Sequence, residues 1–266
     1  MWRDTMRYLT AERRTKMHLA DPVEVFPDCR LWLAYFDDGP GDPVASPENV
    51  LTEAKLSARD QLRWQQYRPE AKKRQFLNSR RAVRSVLQRE LGDAAARIQF
   101  DSDSKGRPVL LSPHVDHWPQ ISLSHSRNAV AVAISTSAFP LGVDIEVVER
   151  LRLEALQQVA SHPHERVWCH QAPGRESDAL VTLWTIKEAV WKTLHGVGEI
   201  SMSEISIKSH AGILTPCVEH SAFKDAEFRT KLFVVACDAV VPETIRLMPG
   251  PFGSIELRGC VTQRIA

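Results

Sequence analysis

The sequence lacks any long apolar run. None of its 266 residues belongs to a stretch of about 18 consecutive apolar side chains, which a membrane-spanning helix would need. The segment from Met1 to Arg7 carries charge and has no apolar core of the kind that a secretion signal requires. We therefore expect a cytoplasmic protein that has no membrane partner.

Cysteine is also scarce, and its spacing is irregular. The five cysteines are Cys29, Cys169, Cys217, Cys237 and Cys260. An odd number without a C-x-x-C pair favours neither a disulfide framework nor a thiolate zinc site. The histidine-rich stretch 162–170 likewise matches no spacing typical of structural zinc. Reduced thiols and no zinc are expected.

The chain has almost no net charge, because 34 basic residues oppose 33 acidic ones. A net charge of +1 gives no overall attraction to nucleic acid or to a membrane surface. Basic residues are nevertheless concentrated between Asp60 and Glu90, where nine lysines and arginines stand against three acids. A solvated helix face accounts for most of them, and we expect one or two to hold a phosphate.

Periodic patterns predict an α+β protein. Apolar runs and alternation predict strands at 30–36, 98–100, 109–111, 121–126, 129–134, 141–148, 205–207 and 232–236. Helical patterns occupy 46–92, 153–160 and 178–194, with a cap at Ser57, a break near Pro69, a stop at Gly92 and a further helix start at Ser161. The expected organisation is an extension (1–28) that is poorly ordered at its start, two halves (29–140 and 141–250) and a tail (251–266).

Two acids in one predicted strand, Asp144 and Glu146, share a face. They alternate with branched apolar residues in 141–148, which is the pattern of a strand with one wet and one buried side. Carboxylates roughly 7 Å apart repel each other unless a cation or several donors lie between them. The pair is a candidate site for a hard metal ion, and a solvated edge strand is the alternative.

Helix 178–194 carries a third acid. Its wide apolar face predicts a core helix, on which Glu188 and Lys192 lie four residues apart on one side. Alone, the two would form an ordinary helix ion pair worth about 0.3–0.5 kcal/mol. Together with Asp144, Glu146 and the basic segment, they fit a phosphoryl-transfer site built around Mg²⁺, which prefers carboxylate, water and phosphate oxygens.

Four short motifs follow one another along the chain. They are GRP at 106–108, ISLSHS at 121–126, GVDIE at 142–146 and WTIKEAVWK at 184–192. In order and spacing they resemble the 4′-phosphopantetheinyl transferases of the broad-specificity surfactin type, over roughly residues 50–200. An acidic strand followed some forty residues later by W-x-x-K-E-x-x-x-K is a specific pair of motifs, and it favours the metal-site interpretation.

The resemblance implies both a fold and a reaction. The implied fold is a pseudo-dimer of two similar α+β halves with the active site in the cleft between them, and the implied protein is a monomer. The implied reaction transfers the 4′-phosphopantetheine arm of coenzyme A to a serine hydroxyl of an apo acyl or peptidyl carrier protein and releases 3′,5′-ADP. The implied cofactor is Mg²⁺, with Mn²⁺ as an alternative.

The same resemblance implies roles for individual residues. Asp144, Glu146 and Glu188 would hold the metal. Glu188 would also act as the base, and Lys192 would stabilise charge on the phosphate oxygens. The residues implied in binding coenzyme A are Arg63, Lys105, Arg107, Ser124, His125, Lys187 and Lys192.

Three positions depart from the family pattern. Ser122 stands where many members have an amide, Ser161 or His162 where an aromatic residue often precedes Glu165, and Trp191 is bulkier than usual beside Lys192. None of the three acids is affected, so catalysis is still expected, while the surface that meets the carrier differs.

Two functions from other classes stay open. A non-catalytic sensor of coenzyme A or a nucleotide would use the same residues, but the retention of all three acids and Lys192 argues against it. A nucleic-acid-binding protein would use the basic helices, and it is disfavoured by the near-neutral net charge and by the shortage of paired aromatic residues.

Overall fold

The computed structural model describes residues 17–26, 29–37, 56–103, 106–111, 119–136, 141–147, 157–172, 176–194, 200–210, 213–218, 228–237 and 263–265. Several predictions therefore lie outside the described residues, namely those for segment 1–16, for Lys105, for most of helix 153–160 and for most of the tail. Within the described ranges, helices and strands are mixed, which confirms the α+β class.

The strands, in chain order, are β1 (Met17–Leu19), β2 (Val23–Phe26), β3 (Cys29–Phe36), β4 (Gln99–Ser102), β5 (Pro108–Leu111), β6 (Gln120–Ser126), β7 (Ala129–Ser135), β8 (Leu141–Val147), β9 (Ile205–His210), β10 (Ile213–Val218), β11 (Phe228–Cys237) and β12 (Gln263–Ile265). The helices are α1 (Ala58–Gln66), α2 (Glu70–Leu91), α3 (Pro163–Gln171) and α4 (Glu176–Leu194). No helix in the described ranges is both long enough and apolar enough to cross a membrane.

The helix boundaries follow the predicted signals with one exception. Ser57 caps α1, since its Oγ accepts a hydrogen bond from the backbone N of Asp60 at 3.0 Å. Pro69 precedes α2, and Gly92 ends it at a φ of 55°. The prediction for α3 is wrong by one residue, because His162 rather than Ser161 is the cap and Pro163 is the first helical residue.

The largest sheet is antiparallel and contains β6, β7, β3 and β1 in that order, with β2 also paired to β3. The predicted hairpins β4–β5 and β6–β7 are both present. Alternation along β3 sends side chains to two cores. Trp32 and Phe36 pack with Val83 of α2, whereas Leu31 packs on the other face in the core that contains Val143 of β8.

The strand β8 packs against this sheet on one face and against α4 on the other. It pairs in parallel with β11, which pairs antiparallel with β12. Val143 and Ile145 face the core shared with β3 and β7, while Gly142 lies against α4. A Cβ at position 142 would lie 2.8 Å from the backbone N of Thr193 and closer still to the carbonyl oxygen of Ala189. Glycine therefore lets the acidic strand and α4 touch.

Candidate functional site

A cavity of about 350 Å³ lies where β6, β8 and α4 meet α1 and α2. Seven of the predicted site residues line it together: Arg63, Ser124, His125, Asp144, Glu146, Glu188 and Lys192. Asp144 and Glu146 alternate on β8, so both face α4. On that helix Trp184, Glu188 and Lys192 follow at four-residue steps, which places all three on the side that faces the cavity. The walls come from both sides of residue 140.

Lys192 is the positive centre of the cavity. Its Nζ donates to Asp144 Oδ1 at 2.6 Å and to Ser124 Oγ at 3.1 Å, and it lies 3.9 Å from Glu188 Oε2. Ser124 Oγ in turn donates to Asp144 Oδ1 at 2.7 Å. The side chain of Lys192 therefore links α4 to β8 and to β6 through hydrogen bonds and one ion pair.

The three acids share one electrostatic environment. Burial is the main cause that raises the pKa of Asp144, and Lys192 opposes it. Burial likewise raises the pKa of Glu146 and of Glu188, and the neighbouring carboxylates add to both shifts. A cation placed among the acids would oppose both causes of the raised pKa values, because it would stabilise the buried charges and offset the repulsion between the carboxylates.

The donor set fits a hard divalent cation. Asp144 is 3% exposed, and its Oδ2 accepts no hydrogen bond from any described residue. Across the described ranges no three His, Cys, Asp or Glu side chains are already grouped closely enough to hold a metal, and Lys192 binds the other oxygen of Asp144. A buried carboxylate oxygen left without a donor is a binding opportunity for a cation that prefers oxygen.

Ser124 and His125 line the cavity from β6. The His125 ring is reached by solvent at the mouth of the cavity, yet loss of hydration lowers its pKa, and the charges of Lys192, Arg80 and Arg63 lower it further. The lowered pKa favours the neutral form of the ring. Three cations around one imidazole make this end of the cavity attractive to phosphate.

The remaining basic residues that were predicted to bind coenzyme A are placed differently from one another. Arg63 lines the main cavity, and its Nε donates to the hydroxyl of Tyr67 at 3.2 Å. Arg107 lines a smaller neighbouring cavity of about 110 Å³ and donates to Gln120 Oε1 at 2.8 Å. The two cavities share Lys192 as a wall. Lys105 lies outside the described residues.

Lys187 differs from the prediction, because it does not line the cavity. It is 1% exposed, and its Nζ donates to Glu165 Oε2 and to the carbonyl oxygen of Val159, each at 2.9 Å. Consecutive helix residues point about 100° apart, so the neighbour of Glu188 faces α3 instead. Glu165 also accepts from the backbone N of Ile207 at 2.9 Å. The pair fastens α4 to α3 and β9.

The substitution Lys187→Met is expected to lower the free energy of unfolding by roughly 3–5 kcal/mol, because it leaves a buried carboxylate without its cation. Denaturant unfolding measures this loss. The KM for coenzyme A in the folded enzyme should stay near the wild-type value. Lys192→Met is the comparison for activity: it should reduce turnover strongly, and it should also lower stability, because it leaves the buried Asp144 without its cation. If Lys187→Met raised the KM for coenzyme A and left stability unchanged, Lys187 would be a binding residue and the structural role would be wrong.

Among the residues of the cavity wall that were not predicted individually are Arg80 and Trp184. Arg80 is held between the rings of Phe76 and Phe100 and binds both oxygens of Asp60. No sequence signal separates it from Arg81, which lies over Phe36 instead. Trp184 donates from Nε1 to Glu146 Oε1 at 3.4 Å. Its position four residues before Glu188 places it on the same face of the helix, which is the sequence feature that could have predicted it.

Parts of the chain resemble known proteins. A family model described as the 4′-phosphopantetheinyl transferase superfamily matches residues 140–236. The chain is 28% identical over 170 residues to the 4′-phosphopantetheinyl transferase HetI of Nostoc sp., a match that covers 62% of this chain and 71% of that protein. It is 29% identical over 113 residues to the 4′-phosphopantetheinyl transferase gsp of Aneurinibacillus migulanus, covering 42% of this chain and 44% of that protein.

The matched segment begins one residue before β8 and ends within β11. It therefore contains the acidic strand, the core helix and the strand that pairs with β8. Together with the relatives, this match shows that the chain is an enzyme of the 4′-phosphopantetheinyl transferase class. The predicted enzyme class is confirmed.

Proposed function

We propose that the chain transfers the 4′-phosphopantetheine arm of coenzyme A to a serine hydroxyl of an apo acyl or peptidyl carrier protein, with release of 3′,5′-ADP. One observation carries the proposal: three carboxylates, a lysine and a Ser-His pair line a single cavity of about 350 Å³. Acids that hold a divalent cation, placed beside cations that hold phosphate oxygens, are what phosphoryl transfer requires.

In this proposal Asp144, Glu146 and Glu188 hold Mg²⁺, with Mn²⁺ as the alternative. The unpartnered Oδ2 of Asp144 and the raised pKa values of all three acids support this set. When bound, the cation neutralises the diphosphate of coenzyme A and acts as a Lewis acid towards the transferred phosphorus. Substrate binding and proton transfer are assigned to side chains of the cavity.

Lys192 and the basic wall bind and orient the anionic substrate. Lys192 has a rigid position, since three protein oxygens around its Nζ fix the ammonium group. That position lets its charge stabilise the phosphate oxygens as transfer proceeds. His125 and Arg63 face the same cavity and are suited to the 3′-phosphate, which carries more charge than one cation neutralises.

Glu188 accepts the proton of the attacking hydroxyl. Its side chain is 19% exposed, and Glu146 is also partly exposed, whereas Asp144 is buried. A carrier serine can therefore approach Glu188 from solvent. As an ionised carboxylate that lines the cavity, Glu188 can accept a proton from a hydroxyl held within hydrogen-bond reach. The serine oxygen then bonds to phosphorus, and the bond from phosphorus to 3′,5′-ADP breaks.

We further propose that the chain is of the surfactin type, a pseudo-dimer of α+β halves 29–140 and 141–250 that acts as a monomer. A cavity lined from both sides of residue 140 supports a cleft between such halves. The extension 1–28 and the tail 251–266 stand outside this division, although β1 and β2 pair with β3, and β12 pairs with β11.

Incubation with coenzyme A, Mg²⁺ and an apo carrier protein tests the proposal. The expected result is a gain of about 340 Da on the carrier, the mass of one phosphopantetheine group on serine. A carrier whose acceptor serine is replaced by alanine is the control and should gain nothing. An unchanged mass across acyl and peptidyl carriers, with coenzyme A still bound, would favour the sensor function instead.

A further inference from the structure

Three serines of β6 contact β8 in succession. Ser122, Ser124 and Ser126 alternate along the strand and therefore share one face; we call them the serine ladder. Through their backbones, β6 pairs with β7 and β8 pairs with β11. Side chains of the serine ladder bridge the space between the two strands.

Each step of the ladder holds a different part of the acidic strand. Ser122 Oγ accepts from the backbone N of Val143 at 3.0 Å. Ser124 Oγ donates to Asp144 Oδ1 at 2.7 Å, and Ser126 Oγ donates to Glu146 Oε2 at 2.9 Å. The offset from serine to acid is twenty residues in both pairs, so the two strands keep one register across this contact.

Glu146 depends on neutral donors. Ser126 binds one of its oxygens, and Trp184 approaches the other at 3.4 Å. Asp144, in contrast, is held by the ammonium group of Lys192 as well as by Ser124. A hydroxyl fixes the direction of a carboxylate without cancelling its charge, and each carboxylate oxygen keeps a second lone pair. Glu146 is therefore oriented by two groups that carry no charge.

We propose that Ser126 is a positioning residue that aims the carboxylate of Glu146 at the divalent cation. The proposal rests on the proposed function, in which Glu146 is a metal ligand. Groups that hold a metal ligand from behind fix its orientation, and their loss typically weakens metal affinity 10- to 100-fold. Ser126 is suited to this task because its hydroxyl donates directly to Glu146 Oε2 at 2.9 Å.

The experiment compares Ser126→Ala, Ser126→Thr and Ser122→Ala in the full chain. Mn²⁺ is titrated with coenzyme A present and carrier absent, so that no turnover occurs, and unbound Mn²⁺ is measured by electron paramagnetic resonance. Ser126→Ala should raise the Kd for Mn²⁺ roughly 10- to 100-fold. Ser126→Thr keeps the hydroxyl and should bind close to wild type.

Ser122→Ala is the matched control, since it removes a ladder hydroxyl that touches backbone rather than a carboxylate. It should lower the melting temperature and leave the Kd for Mn²⁺ unchanged. If Ser122→Ala and Ser126→Ala weaken Mn²⁺ binding equally, the contact between strands matters and the hydroxyl does not, which overturns the proposal. Equal affinity of Ser126→Ala and wild type overturns it as well.

The wild-type titration separates this inference from the proposed function. Wild type that binds no Mn²⁺ beside coenzyme A refutes the metal site and the role of Ser126 together. Wild type that binds, with Ser126→Ala binding equally well, refutes the role of Ser126 alone. In turnover assays, Ser126→Ala should raise the metal concentration that gives half-maximal rate and should approach the wild-type kcat at saturating metal.

Discussion

Replacing Asp144 by asparagine is expected to reduce kcat/KM for carrier modification by roughly 10²–10³-fold, or about 2.7–4 kcal/mol of transition-state stabilisation. Asparagine keeps the shape of the side chain but removes the charge that pairs with Lys192 at 2.6 Å. It also removes the anionic oxygen that has no donor among the described residues. Initial rates of mass gain on the carrier measure the effect.

The same variant should be at least as stable as wild type at neutral pH. Burial raises the pKa of Asp144, so the folded protein binds this proton more tightly than the unfolded chain does. The stability that the group contributes is complete below its unfolded value near 3.8 and is lost as the pH rises through the folded value. Melting temperatures at pH 7.5 should favour the variant, and the gap should close towards pH 4.

Glu176→Gln is the control for charge loss, because it removes a carboxylate at the start of α4, remote from the cavity. Its rate should stay near wild type. A slow Asp144→Asn that also unfolds at lower temperature would mean that Asp144 serves the fold first, contrary to the metal assignment.

Replacing Gly142 by alanine is expected to damage both the fold and the activity. The added methyl would overlap the carbonyl oxygen of Ala189 and the hydroxyl of Thr193, and overpacking of this kind typically costs about 1–3 kcal/mol. Relief requires α4 to move away from β8, which displaces Glu188 and Lys192 from Asp144. A misplacement of about 1 Å can lower a rate about 10²-fold. Denaturant unfolding and carrier modification rates measure the two effects.

Gly92→Ala is the matched glycine control. Position 92 has a φ of 55° and nothing within 4 Å of the added methyl, so the cost is backbone strain of roughly 1–3 kcal/mol without displacement of α4. Its folded fraction should retain normal kcat. Gly142→Ala combined with Thr193→Ala should remain impaired, since the backbone oxygen of Ala189 is still in the way. Full recovery in that double variant would contradict the role assigned to close strand–helix contact.

The part of the site that sequence could predict rests on periodicity. Asp144 and Glu146 alternate on a strand, and Glu188 and Lys192 lie one helical turn apart, so their common faces follow from the geometry of strand and helix. The same reasoning gave the hairpin that carries Ser124 and His125. That these faces meet in one cavity was implied only by the resemblance, because periodicity carries no information about distant pairs.

The residues whose placement the sequence did not predict depend on tertiary partners. Lys187 stands in a motif beside a predicted ligand, yet its partner Glu165 lies 22 residues earlier on another helix. Arg80 is oriented by Asp60, and Ser126 by the strand across from it. A lysine, an arginine and a serine of this kind look like ordinary surface residues until the fold supplies their partners.

The parallel pairing of β8 with β11 bears on the order in which the protein assembles. Residues 141–147 are joined to residues 231–237, so about a third of the chain separates the two partners. Pairings of such long sequence separation form slowly during folding. A chain cut before residue 228 would keep both acids and α4 but would leave one edge of β8 open to pairing with other molecules. Premature termination should therefore produce aggregation before it produces a weak enzyme.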